Sequence, residues 1–218
     1  MIRAGAERRP ALLVIAKEPI AGRVKTRLCP PCTPEQAARL ARAALEDTLA
    51  ACGSARRAGR KLLVLDGRPG AWLPSGWEIV PQRGGDLAER LAAAFDDAGG
   101  PALLVGMDTP QVRPALLDAG LAALGRDDAV FGPATDGGYW AIGLHAPDPA
   151  VFADVPMSRR FTGATQRARL AALGLRTAAL PPLRDVDDIA AARAVAGAAP
   201  ETRFAAALAA IEPGSAAA

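Results

Sequence analysis

The chain has 218 residues, half of them apolar and 22% charged, with a formal net charge of +3. A surplus that small does not by itself imply nucleic-acid binding, and aromatics at 4% leave little to stack bases on. The length suits one α/β domain with a packed core.

The first apolar run, "ALLVIA" at 11–16, stops at Lys17. A spanning helix needs roughly 20 apolar residues and an export signal needs a longer run with a cleavage site, so the expectation is a cytoplasmic protein without a membrane partner. The run reads as a buried strand. Residues 1–10 and 212–218 read as flexible tails around a domain at 11–211. Behind the strand comes "AKEPIAGRVKTRLCPP", which places Lys17, Arg23, Lys25 and Arg27 around Gly22. A helix then opens with Thr33 as N-cap, Pro34 in the first turn and Gln36 completing a capping box, and Gly53 stops it.

Cys29 and Cys32 form a Cys-x-x-Cys, with Cys52 the third thiol. A structural zinc needs two further ligands, and only His145 and Cys52 remain, without ligand spacing. The two prolines inside the motif favour an extended turn over the helix start of a thioredoxin site. The thiols therefore read as incidental in a reducing compartment.

Strands are expected at 61–66, 77–82 and 101–108, with helices at 86–99 and 113–125 between and after them. Leu87, Leu91 and Phe95 share one face of the first of these helices. Two strands at 128–134 and 139–144 have no helix between them, so they predict an antiparallel excursion. Segments at 164–174, 176–181 and 188–197 and a last Ala-rich helix follow. Alternating strands and helices predict a doubly wound, mostly parallel α/β sheet with flanking helices.

Ligands of such sheets bind outside the carboxyl ends of the strands. That rule selects the cationic loop, "MDTP", "TDGGY" and "RDVDD". The loop is no Walker A, because Val24 stands where the second glycine belongs, and Gly22 alone makes no dinucleotide fingerprint. Side chains would have to hold an anion instead: Lys17, Lys25, Thr26 and Arg27 around the Gly22 turn suit a di- or triphosphate. Asp108 at the end of its strand suits Mg²⁺ or Mn²⁺, with Asp185 or Asp187 as a second ligand. Asp187 or Asp188 can equally cap the helix at Ile189. In "TDGGY", Gly137 and Gly138 allow close backbone approach, Asp136 can accept from a sugar hydroxyl, and Tyr139 or Trp140 can stack on a ring. The pairs Arg56–Arg57 and Arg159–Arg160 read as solvated surface, with an acidic substrate as the alternative for Arg159 and Arg160.

Together, "AKEPIAGRVKTRL", "LLVGMDTP", "GPATDGGYWAIGL" and "RDVDD" resemble a bacterial family of GT-A-like glycosyltransferases associated with arsenosugar biosynthesis or with radical-SAM/selenodomain proteins. The resemblance covers 11–195. It implies a nucleotide-diphospho-sugar transferase fold. More distantly, the chain is similar to guanylyltransferases that activate phospholactate or phosphoenolpyruvate. The wider superfamily implies that Lys25 and Arg27 face nucleotide phosphates and that Asp108 and Asp187 hold the metal. Two departures stand out: "MSRRFTGAT" replaces an aromatic–Ser–Thr stretch, and "GMDTP" has one Asp where many glycosyltransferases have Asp-x-Asp.

The leading expectation is a metal-dependent transferase of a nucleotide-activated donor, a GT-A-like glycosyltransferase with Lys25, Arg27 and Asp108 as catalytic residues. The alternative is a nucleotidyltransferase that joins an NTP to a small phosphorylated acceptor and releases pyrophosphate. A non-catalytic nucleotide-binding module is the third reading. The partners are a nucleotide sugar or NTP and a small-molecule acceptor, with the oligomeric state left open.

Overall fold

Strands that are apolar on both faces are stable only between two covering layers. The computed structural model describes residues 9–211. The expected tail at 212–218, and that at 1–10 apart from Arg9 and Pro10, lie outside the described residues. In chain order the elements are β1 (Ala11–Lys17), α1 (Pro34–Gly53), β2 (Lys61–Asp66), β3 (Glu78–Pro81), α2 (Leu87–Ala98), β4 (Ala102–Gly106) and α3 (Pro114–Ala123). Then come β5 (Ala129–Pro133), β6 (Tyr139–Leu144), α4 (Thr162–Ala172), β7 (Thr177–Ala179), α5 (Ile189–Ala198) and α6 (Arg203–Ile211).

The strands form one seven-stranded sheet in the order β3-β2-β1-β4-β6-β5-β7. β6 runs antiparallel to both β4 and β5, and the remaining pairs are parallel. The expected architecture and its antiparallel excursion are both present. Because side chains alternate along a strand, Leu12, Val14 and Ala16 of β1 pack under α1 and α3, while Ala11 and Leu13 pack under α2 and α4.

α1 is buried on two sides. Its second face carries Ala37, Leu40 and Ala44, which meet Val195 of α5 and Phe204 and Leu208 of α6. Leu28 from the cationic loop and Val186 from the "RDVDD" segment join this cluster, both fully buried. Two distant loops are thereby fixed side by side. Asp47 of α1 supports the arrangement by accepting the backbone N–H groups of Arg203 (3.1 Å) and Phe204 (2.8 Å) at the start of α6.

Thr33 caps α1 as expected, with its hydroxyl accepting from Gln36 N–H and the Gln36 side-chain Oε1 accepting from Thr33 N–H. Three expectations need correction. β3 is shorter than 77–82 because it lies at the sheet edge and pairs on one side only. Single 3₁₀ turns at Thr26–Leu28 and Pro149–Val151 went unforeseen, since runs of three residues carry no periodic signal. Leu91 and Phe95 are buried, but Leu87, in the first turn of α2, is exposed and lines the cavity at the carboxyl edge of the sheet.

Candidate active site

The cationic loop is shaped by two left-handed residues. Gly22 has φ +76°, with open space where a side chain would project. Lys25 has φ 49° and ψ 36°, which a lysine adopts only when its surroundings hold it there. Its side chain, 9% exposed, runs inward until Nζ lies 2.7 Å from Asp108 Oδ1. The same Nζ donates to the Val186 carbonyl, and Val186 N–H donates to the Asp108 carbonyl at 3.0 Å. Arg27 reaches Asp187 Oδ2 at 2.6 Å. The cations expected to grip phosphate are thus paired with the carboxylates expected to hold metal.

β4 ends at Gly106, and Asp108 stands in the turn beyond it. A Cβ on Gly106 would meet nothing within 4 Å, so the backbone is open there toward the site. Of the two candidate caps for α5, Asp188 performs the task, accepting from Ala191 N–H at 2.7 Å. That leaves Asp187 on Arg27 and Asp185 turned inward.

Asp185 is the anomalous group. Its Oδ1 is buried without a hydrogen-bond partner among the described residues. Burial, then the neighbouring carboxylates of Asp108, Asp136 and Asp187, push its pKa up to about 7, against the opposing pull of Lys25. Thr109 Oγ1 and Gln111 Oε1 are likewise buried acceptors without partners among the described residues. Such oxygens lack a donor or a cation.

A cavity of about 1090 Å³ opens along the carboxyl edge of the sheet. Of the expected site residues, Lys17, Arg27, Asp108, Asp136, Gly138, Tyr139, Asp185 and Asp187 line it. Gly22, Lys25, Thr26 and Gly137 do not. Lys25 lies beneath Asp108, and Gly137 is turned against the carbonyl of Arg160. Asp136 is oriented by accepting Gly138 N–H on Oδ1 at 2.8 Å. Tyr139 packs its ring on Phe131 at 5.4 Å, and burial pushes its phenol pKa upward, so it stays a neutral donor. Trp140 is unavailable for stacking: it is 2% exposed and its Nε1 donates to the Pro181 carbonyl at 3.0 Å.

Sequence reasoning missed Gln82, Arg90 and Arg184, which also line the cavity. Gln82 follows β3, so the carboxyl-end rule points to it as well. It donates to the carbonyls of Ala16 (2.8 Å) and Val64 (3.2 Å) and accepts from Arg90. Arg184 stands inside the singled-out "RDVDD" motif, where the carboxylates draw the attention.

Among the described residues, no three His, Cys, Asp or Glu side chains stand ready to enclose a metal ion. A Mg²⁺-type ion asks for less, because it keeps several waters and takes one or two carboxylates plus phosphate oxygens. The orphaned Asp185 oxygen near Asp108 fits such an ion.

This sheet, with its ligand groups at the carboxyl edge, is the fold of nucleotide-diphospho-sugar transferases. A solved structure from Desulfovibrio desulfuricans G20, named provisionally as a nucleotide-diphospho-sugar transferase, is 27% identical with a TM-score of 0.83, over 92% of this chain and 94% of that one. The chain belongs to the family described as "Uncharacterized protein conserved in bacteria (DUF2064)", whose model matches residues 34–159. Two more distant structures share the fold alone. One is CMP:2-keto-3-deoxy-manno-octonic acid synthetase complexed with CTP, at 11% identity and TM-score 0.56 over 88% of this chain and 99% of that one. The other is Rv0371c of Mycobacterium tuberculosis H37Rv in complex with manganese, at 20% identity and TM-score 0.51 over 85% and 97%. No curated protein matches the chain. No helix among the described residues is long and apolar enough to cross a membrane.

Proposed function

We propose that the chain, on a single domain at 11–211, is a metal-dependent transferase that moves a glycosyl group from a nucleotide sugar to a small-molecule acceptor. The carrying observation is the meeting of Lys17 and Arg27 with Asp108 and Asp185 in one cavity. Asp108 and Asp185 are the residues we assign to a Mg²⁺ or Mn²⁺ ion, with Asp187 beside them. When bound, that ion would neutralise diphosphate charge and stabilise the leaving group.

The chain's own residues do the rest. Lys25 orients the Asp108 carboxylate through its ion pair, with Nζ anchored on the Val186 carbonyl. Lys17 and Arg27 bind diphosphate oxygens, and their charge grows in value as negative charge develops on the leaving group. Asp136, fixed by Gly138 N–H, accepts from the acceptor hydroxyl. The acceptor oxygen bonds to the anomeric carbon while the bond from that carbon to the β-phosphate oxygen breaks. The nucleoside diphosphate leaves with the electron pair, and the hydroxyl proton passes to Asp136 or to water.

Glycosyl transfer rests on the resemblance to the arsenosugar- and radical-SAM-associated enzymes. A cytoplasmic setting is part of this reading, supported by cysteines that form no disulfide among the described residues. A nucleotidyltransferase is the second reading, favoured by the lone carboxylate at the end of β4. Incubation with Mn²⁺, a mixed acceptor pool and UDP-glucose, GDP-mannose, GTP or CTP separates them. Release of nucleoside diphosphate supports glycosyl transfer, and pyrophosphate from a triphosphate replaces it with the second reading. Metal-dependent nucleotide binding without any turnover leaves a non-catalytic module.

A further inference from the structure

The cavity holds more cationic groups than a donor diphosphate needs. Arg159, Arg160 and Arg184 line it together with Lys17 and Arg27. No guanidinium of these three makes a hydrogen bond or ion pair with a described residue, whereas Arg27 is paired with Asp187.

Arg159 and Arg160 stand on a segment packed so tightly against the Asp136 turn that, among the described glycines, Gly137 and Gly163 leave the least room between a Cβ and a neighbouring backbone. A Cβ on Gly137 would fall 1.8 Å from the Arg160 carbonyl oxygen, and one on Gly163 would fall 2.4 Å from the Gly138 carbonyl oxygen. Gly163 N–H donates to the Gly137 carbonyl at 2.8 Å. The Thr162 hydroxyl accepts from Arg159 N–H at 2.9 Å and donates to the Pro156 carbonyl at 2.7 Å. Ser158 completes the bend with φ 58°. This segment therefore clamps the Asp136 turn, and its two arginine backbones cannot drift from it.

The sheet order separates the two cationic groups. Lys17 ends β1, whereas the Asp136 turn joins β5 to β6, which lie three and two strand steps from β1 by way of β4. At about 4.8 Å per step that is roughly 10–14 Å. Asp108, after β4, lies between them.

We propose that Arg159 and Arg160 bind an anionic group, a carboxylate or a phosphate, on the acceptor, so that the acceptor is a small acid and not a neutral sugar or alcohol. The inference rests on the transferase reading for the word acceptor. The anion site itself rests on the clamp and the unpaired guanidiniums. Planar guanidiniums in pairs suit both anions through forked, charge-assisted hydrogen bonds. Asp136, held by the same turn, then meets the hydroxyl of a molecule anchored at its acidic end.

The test measures binding of glycerol 3-phosphate, D-glycerate and glycerol to the full chain by ligand-observed NMR, with Mn²⁺ replaced by Mg²⁺ to avoid paramagnetic broadening. Nucleotide affinity for ADP, GDP, CDP and UDP is measured separately by calorimetry. The proposal expects one or both anions to bind and glycerol not to. The Arg159→Ala/Arg160→Ala variant should weaken the anion at least roughly tenfold, the loss expected for hydrogen bonds to a charged group. Nucleotide affinity should stay within about twofold of the parent. Arg56→Ala/Arg57→Ala, a pair outside the cavity, should change neither. Equal binding of glycerol, an unchanged anion affinity in the double variant, or a nucleotide loss as large as the anion loss would each overturn the proposal. Preference between glycerol 3-phosphate and D-glycerate identifies the anion. If no nucleotide binds while arginine-dependent anion binding persists, the transferase reading fails and the anion site stands.

Discussion

Lys25 Nζ lies 2.7 Å from Asp108 Oδ1, joining the cationic loop after β1 to the turn after β4 in one ion pair. Lys25 is therefore both support and competitor for a metal ion at Asp108. Lys25→Ala should bind Mn²⁺ more tightly than the parent in the absence of nucleotide, by roughly tenfold, since removing a nearby cation favours another. Asp108→Ala should show no measurable Mn²⁺ binding and lose metal-dependent nucleotide binding. Calorimetry on the folded variants decides. Unchanged metal affinity in Asp108→Ala would remove that carboxylate from the metal assignment.

Asp185 predicts a pH dependence of stability. Its pKa is raised from the ordinary aspartate value of 3.8 to about 7, chiefly by burial. Between these values the folded chain holds a proton that the unfolded chain has released. Stability from this group is therefore complete below about pH 4 and falls progressively as pH rises to about 7. Denaturant titrations of metal-free protein should show this slope, and Asp185→Asn should flatten it. Mg²⁺ binding at pH 6 should release close to one proton, visible as buffer-dependent binding heat, and Asp185→Asn should abolish that release.

Two glycines with positive φ should respond differently to alanine. Gly137 (φ +94°) would drive a Cβ into the Arg160 carbonyl, while Gly22 (φ +76°) faces open space. Gly22→Ala should lose only about 1 kcal/mol, the left-handed penalty alone. Gly137→Ala should lose on the order of 3 kcal/mol or more, because the 157–163 segment must move. Thermal denaturation compares the two, and equal losses would contradict the clamp.

Trp140 offers a test of wall against stacking platform. Trp140→Phe removes the Nε1 bond to the Pro181 carbonyl and some buried volume, so stability should fall by about 1–2 kcal/mol. Nucleotide affinity should stay within roughly twofold. A collapse of affinity in a variant that still melts cooperatively would restore the tryptophan as a ligand contact.

Much of the frame was legible before any coordinates. The continuous apolar runs at 11–16 and 62–65 announce strands buried on both faces, and Thr33, Pro34 and Gln36 mark a helix start through local hydrogen bonding alone. The carboxyl-end rule brought Lys17, Arg27, Asp108, Asp136 and Asp185 to one cavity. Leu87 went astray because helical spacing reports a face and not that the face opens onto a cavity at its first turn. Asp47 as an acceptor for the first N–H groups of α6 left no signal, since its partners lie 156 and 157 residues away.

What the sequence determined by itself is the class of fold and the chemical kind of site, because both follow from short-range periodicity and from residue types at strand ends. Tertiary structure alone decided the pairings within the site. Leu28 and Val186 meet in a core cluster against α1, and that packing sets Lys25 on Asp108, Arg27 on Asp187 and Asp188 on α5. It also left the Asp185 carboxylate buried and without a partner among the described residues. Four acidic side chains with the same formal charge were thereby given different environments, because burial and distance, and not residue type, decide which charge each one faces.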